Sequence, residues 1–305
     1  MNIDIGPQSS SDSKFVRKCR LHQSKYRAEI LYETYGFGPT KNSTKRYGNM
    51  LVDGEHTGSN FLTETAFQFA KQKALDKQIN KFLTIDEYRL FNNMLSSMPM
   101  CFNLFADLRH MLLEDKKEVS RITKHLFSEI DWIESTNYIN VEFIPIPIYE
   151  YTNDKSAFDA MIIVEDTDGK KGLISIETKY TDLLGCNSSS DAEVKNELLI
   201  KDKIYDEELT EGLRKKGYQQ IHRNYLLTYL YAKRNKFNHF VNIVLSPRED
   251  HVSQQEIDEM KMHMLKNHDT IIKISLENFV DRGIDCGNKA IGKVMRDFHH
   301  RYLNF

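Results

Sequence analysis

The spacing of apolar and polar positions divides the chain into a helical first part and a strand-bearing second part. Residues 13–35 carry helix-compatible composition, and Gly36, Gly38 and Pro39 then stop the pattern. A second helix is predicted over 60–77, with Phe61, Phe67 and Phe69 among its apolar residues and Thr63 as its N-cap. A third opens near Ile85-Asp86-Glu87 and reaches Leu95. Ser96, Ser97 and Pro99 mark a break before a further helix that runs to Leu113. Val119, Ile122, Leu126 and Ile130 recur at three- and four-residue spacing, the period of an amphipathic helix.

At Tyr138 the texture changes. VEFIPIPIY alternates but holds two prolines, which suits an edge strand or an interrupted one. FDAMIIVED and GLISIETKY are rich in β-branched residues and read as strands separated by TDGKK. A polar loop and helices follow, the longest over about 217–236. HFVNIVLSP is a short strand, 253–265 a helix, TIIKISL another strand, and a helix from about Gly287 closes the chain. The expected fold class is α/β: a mixed sheet of about five strands flanked by helices, with a mainly helical N-terminal extension. The expected division is a helical region at 1–135 packed on a core at 136–305.

Length and composition add bounds. With 305 residues, 40% hydrophobic and 28% charged, the chain can bury a sizeable core and falls in the globular class. The formal net charge is −2, so no global basic excess points to nucleic acid; a local basic groove would have to do that work. No stretch approaches the ~18 apolar residues of a membrane span, and MNIDIGPQSSSDSK has no apolar signal region, so a cytoplasmic protein is expected. Cys19, Cys101, Cys186 and Cys286 lie far apart with no CxxC pair, which suits packed reduced thiols.

The chemistry lies in the hairpin. A turn centred on Asp168, with Gly169 supplying positive φ, sets residues whose numbers sum to 336 opposite each other. Ile162 then faces Ile174, Ala160 faces Ile176, and Asp159 faces Glu177. Because side chains alternate, Asp159, Glu177 and Lys179 share one face. Two converging carboxylates repel unless a cation sits between them, and oxygen-only ligands favour Mg²⁺ or Mn²⁺. The Thr178 carbonyl is a natural extra ligand. Such an ion polarises a phosphodiester and lowers the pKa of a water, which a lysine can orient. A solvated acid–lysine face is the bland alternative.

FDAMIIVEDTDGKKGLISIETKY resembles the core hairpin of the PD-(D/E)xK nuclease superfamily, which includes many restriction endonucleases. The resemblance implies a restriction-endonuclease-like fold, with Asp159 and Glu177 holding the metal and Lys179 assisting hydrolysis. Phe158 stands where the motif's name has proline. SSMPMCFNLF and QQIHRNYLL are similar to segments of a subfamily assigned to restriction endonucleases, and the likeness covers about 60–280. Many superfamily nucleases carry a glutamine on the helix after the ExK strand. Gln220 is the candidate here and Gln219 the runner-up. A further helix acid often joins the metal shell, for which Glu129 and Glu142 stay open.

Gln220, Arg223 and Asn224 share a helical face by their spacing. Arg214, Lys215, Lys216, Arg223, Lys233, Arg234 and Lys236 occur between Gly212 and Lys236 without an acid, a stripe that suits phosphates. Arg214, Lys215, Lys216, Arg223 and Asn224 are the expected nucleic-acid contacts. His299-His300 and the His263/His268 pair read as surface residues. The expectation is a Mg²⁺- or Mn²⁺-dependent endonuclease on double-stranded DNA, of restriction or antiviral-defence type, with homodimerisation left open. The alternatives are action on RNA, DNA ends or repair intermediates, or an inactive nuclease-fold scaffold.

Overall fold

The computed structural model describes residues 3–79, 84–181, 201–216 and 220–305, the side chains of 214–216 excepted. In chain order the elements begin with α1 (Lys14–Glu29), β1 (Tyr35–Phe37), β2 (Arg46–Leu51), α2 (Gly54–Thr57) and α3 (Glu64–Ile79). Next come α4 (Glu87–Asn92), α5 (Ser97–Met111), α6 (Lys116–Leu126), β3 (Ser135–Phe143), β4 (Phe158–Glu165) and β5 (Lys171–Thr178). Then follow α7 (Glu207–Lys216), α8 (Gln220–Arg234), β6 (His239–Ser246), α9 (His251–Met262), β7 (Ile271–Ser275), α10 (Leu276–Ile284) and α11 (Lys289–Phe298). The chain divides into two compact units: the described residues of 1–114, 180–182 and 277–305, and those of 115–179 and 183–276.

In the first unit α1 packs on the β1–β2 hairpin. The sequence pattern predicted one helix over 13–35, but the helix stops at Glu29. Arg27 accounts for the stop. Its buried guanidinium donates to the carbonyls of Gly48 and Asp4, each at 2.8 Å, and to that of Glu33, so the chain must leave the helix to bring those oxygens in. Thr63 caps α3 as expected, accepting from the Ala66 amide at 3.1 Å. Ser96, placed by pattern at a break, is the N-cap of α5 and accepts from Met98. Pro99 sits in the first turn of α5, where a missing N–H leaves no bond unmade. The closing helix α11 continues as a π turn over His299–Leu303, from which Arg301 donates to Ser59 O at 3.0 Å and Asn60 Oδ1 at 2.7 Å. The described cysteines Cys19, Cys101 and Cys286 are buried, and Cys186 lies outside the described residues.

The second unit is built on a five-stranded mixed sheet in the order β3-β4-β5-β6-β7. β3, β4 and β5 pair antiparallel, while β5, β6 and β7 pair parallel. The fold class expected from the sequence, α/β with a mixed sheet flanked by helices, is observed. β3 is an edge strand and ends at Phe143, ahead of Pro145 and Pro147, because proline cannot donate to a ladder. Helix α6 packs on β3 within this unit. The parallel β5–β6 pair requires a long crossover, and α7 and α8 lie in that connection. Helix α8 docks on the sheet through Thr228, whose hydroxyl lies 2.7 Å from Ser175 Oγ of β5. Near the hairpin turn, Trp132 stacks on His239 at 5.1 Å between ring centroids and closes over Gly172, where a Cβ would come within 2.2 Å of its ring.

Candidate active site

The β4–β5 register is the one expected. Ala160 faces Ile176 and Ile162 faces Ile174, and Gly169 takes φ 76° in the turn. This register keeps the apolar set at 160, 162, 164, 172, 174 and 176 on one face. At the open end of the hairpin the Asp159 carboxylate receives donors from β5: Oδ2 accepts from the Thr178 amide at 2.8 Å and from Thr178 Oγ1 at 2.9 Å.

Glu177 is held from both sides. Its Oε1 lies 2.7 Å from Lys179 Nζ and accepts from Gln220 Nε2 at 2.7 Å, while Oε2 accepts from Asn224 Nδ2 at 2.7 Å. Lys179 Nζ also donates to Gln220 Oε1 at 3.0 Å, so lysine, glutamine and glutamate close a ring. Glu177 is 4% exposed and Lys179 6%, so these charges work in a poorly solvated setting where Coulomb forces are strong. Burial, then the neighbouring Glu177 charge, pushes the Asp159 carboxyl up to about 7, against the pull of Lys179 and the Thr178 donors. Two carboxylates and a lysine thus meet at the end of one hairpin, with α8 supplying the amide side chains that hold Glu177 and Lys179 and β5 supplying the donors that hold Asp159.

Residues 10–304 match the family model of the PD-(D/E)XK nuclease superfamily. The chain belongs to that superfamily. No curated protein and no solved structure matches it. Membership of the PD-(D/E)XK nucleases implies hydrolysis of nucleic acid, and such enzymes generally use divalent metals. No helix among the described residues is long and apolar enough to cross a membrane.

The residues at the hairpin end fit a hard cation by donor chemistry. Asp159 and Glu177 offer oxygen only, and their mutual repulsion is what a cation would relieve. No cluster of three His, Cys, Asp or Glu side chains able to hold a metal occurs among the described residues. Glu142 and Glu129, the open candidates for a further acid, are not on helices. Glu142 is buried on β3 between the register pairs Val141–Ala160 and Phe143–Phe158, hence alongside Asp159, and its backbone is left-handed at φ 49°. Glu129 is exposed in the turn after α6.

Four of the expected residues, Asp159, Glu177, Lys179 and Gln220, come together. Asn224, expected at the nucleic-acid face, is instead 8% exposed and spends its amide on Glu177. Its i+4 relation to Gln220 puts both on the helix face that looks at the sheet rather than at solvent. The Arg223 Nε is buried without a hydrogen-bond partner among the described residues. The side chains of Arg214, Lys215 and Lys216 and the whole of Gln219 lie outside the described residues. Farther along α8, Lys233 meets Asp202 at 2.5 Å and Arg234 meets Glu150 at 3.6 Å, so acids from elsewhere balance the far end of the basic stripe. His263 pairs with Asp206 at 2.8 Å and His268 Nδ1 lies 3.2 Å from Lys261 O. Glu256 was missed. It follows Ser253 by three residues and precedes Met260 by four, both buried, so helical spacing already put it on the inward face of α9.

Proposed function

We propose that this chain is a metal-dependent endonuclease that hydrolyses phosphodiester bonds of double-stranded DNA, in restriction or antiviral defence. The observation that carries the chemistry is the convergence of Asp159, Glu177 and Lys179 at the open end of one hairpin, with Lys179 Nζ 2.7 Å from Glu177 and both nearly buried. Asp159 and Glu177 would hold a Mg²⁺ or Mn²⁺ ion, with the Thr178 carbonyl as a further oxygen donor. When bound, such an ion supplies Lewis-acid polarisation of the phosphate and a lowered pKa for water.

The remaining work belongs to side chains of this chain. Asn224 and Gln220 fix the Glu177 carboxylate by donating to its two oxygens. Gln220 also accepts from Lys179, which limits where the ammonium can point. Lys179 is placed to orient the attacking water and to neutralise charge gathering on the phosphorus oxygens. Thr178 restrains Asp159 through two hydrogen bonds and so sets the angle of its carboxylate. The choice of DNA rests on the family's restriction endonucleases and on the basic residues of 212–236.

The test is cleavage of linear, circular, single-stranded and modified DNA and of RNA, with and without Mg²⁺, beside Lys179→Ala. Mg²⁺-dependent cuts within duplex DNA that vanish in Lys179→Ala are expected. Cleavage of RNA or of ends alone would replace the substrate, and wild-type rates in both Asp159→Ala and Lys179→Ala would overturn the site.

A further inference from the structure

Glu256 lies on α9, where Ser253, Ile257 and Met260 are buried, so its side chain is directed inward. Its Oε2 is buried and takes no hydrogen bond among the described residues, an uncommon state for a carboxylate oxygen that calls for a physical explanation. The helix starts just after β6, whose Leu245 pairs with Thr178 and accepts from the Lys179 amide at 2.9 Å. Ser246, the next residue, stands beside Lys179 in that register, and its hydroxyl is also buried without a partner. Burial raises the Glu256 carboxyl, with Asp250 and Glu259 adding to the rise and the Lys179 ammonium opposing it.

Lys179 is at present committed to Glu177 Oε1 and Gln220 Oε1. A divalent cation on Glu177 would compete with Lys179 for that oxygen and repel its charge. The ammonium would then need another acceptor within reach of a flexible four-carbon stem.

We infer that Glu256 is a second seat for Lys179, taken up when Glu177 turns to a divalent cation. Glu256 is thereby a positioning residue: it acts by holding the lysine that orients the water. The inference rests on the proposed metal-dependent reading of this site. It gives the buried oxygen of Glu256, which lies within the electrostatic influence of Lys179, a role, and it offers the ammonium a carboxylate in place of Glu177.

The experiment is a double-mutant cycle on Mn²⁺ binding, measured by calorimetry on the full chain without nucleic acid. Glu256→Gln is expected to weaken Mn²⁺ binding by about three- to fivefold, the upper end of the scale of one partly solvated ion pair. In a Lys179→Met background, Glu256→Gln is expected to change binding by less than about twofold, because no ammonium remains to be seated. Glu256→Met, which keeps volume without an acceptor, repeats the cycle if the glutamine variant does not fold. Equal weakening with and without Lys179 would mean that Glu256 acts on the ion directly and would overturn the exchange. Unchanged binding in Glu256→Gln would overturn it as well. If the wild-type chain binds no Mn²⁺, the metal-dependent function itself fails and the inference falls with it, an outcome distinct from the other two.

Discussion

At the turn end of the β4–β5 hairpin, Lys170 meets Asp168 at 2.9 Å with both side chains more than half exposed. At the open end of the same hairpin, Lys179 meets Glu177 at 2.7 Å with both almost wholly buried. Residue types and distance are nearly the same; solvent differs. In water the first pair is screened and its acids and bases keep ordinary roles, as surface pairs do. Out of water, the second pair needs further donors, and Gln220 and Asn224 provide them. The contrast extends to the aspartates. His239 and backbone amides hold Asp166 below the usual carboxylate range, whereas burial and Glu177 push Asp159 up to about 7. A carboxylate held back from ionisation is one that a cation can reward, so the buried end is the one the proposed chemistry would use.

The largest expected effect that would break this comparison is on cleavage. Lys179→Ala should lower Mg²⁺-dependent cleavage by ~100-fold or more, within the range for a residue that positions or transfers a proton, while Lys170→Ala should leave the rate unchanged. Equal loss in the two variants, measured under single turnover, would erase the distinction between the ends. Next in size is Asn224→Leu. It leaves the buried Glu177 Oε2 without its donor and should destabilise the ion-free protein by about 1–3 kcal/mol in denaturant titrations.

The pH response sharpens the comparison further. Asp159 has its folded pKa raised above the unfolded value, so between about pH 4 and 7 its carboxyl holds more of its proton in the native state than in the unfolded one. The stability that this group contributes in the presence of chelator should therefore fall as pH rises through that window. Asp159→Asn should flatten the fall and raise the melting temperature at pH 8. Asp166 has the opposite sign: its pKa is lowered, so its contribution is present above the unfolded value and is lost as pH falls through the folded one. An Asp159→Asn melt that keeps the wild-type slope would show that another group sets it. The smallest effect is at the exposed pair, where Asp168→Ala should leave the melting temperature unmoved.

Much of this site was legible before any coordinates. The register followed from Gly169 and the alternation of ladder residues, because a one-residue slip would turn Ala160, Ile162 and Ile174 to the wrong face. Gln220 followed from the family likeness. The bond from Asn224 to Glu177 was not legible, because spacing tells which residues share a helix face but not what that face looks at. Arg27 ended α1 through carbonyls 6 to 23 residues away in sequence, a contact no local pattern encodes. The β1–β2 hairpin was hidden for the same reason: its Gly36, Gly38 and Pro39 read as a stop, while Gly38 N pairs with Lys45 O across the turn. Glu256 stood among the buried positions of an amphipathic helix, and its charge disguised that placement.

The stacking of Trp132 on His239 has a practical side. The chain holds one tryptophan, and it lies in the sheet-bearing unit, 5.1 Å from an imidazole and pressed onto Gly172. Its emission is thus an optical label for that unit alone. Excitation selective for indole would follow the opening of the β-sheet while the helical unit stayed dark. Comparing that trace with far-ultraviolet dichroism would tell whether the two units melt together or in turn.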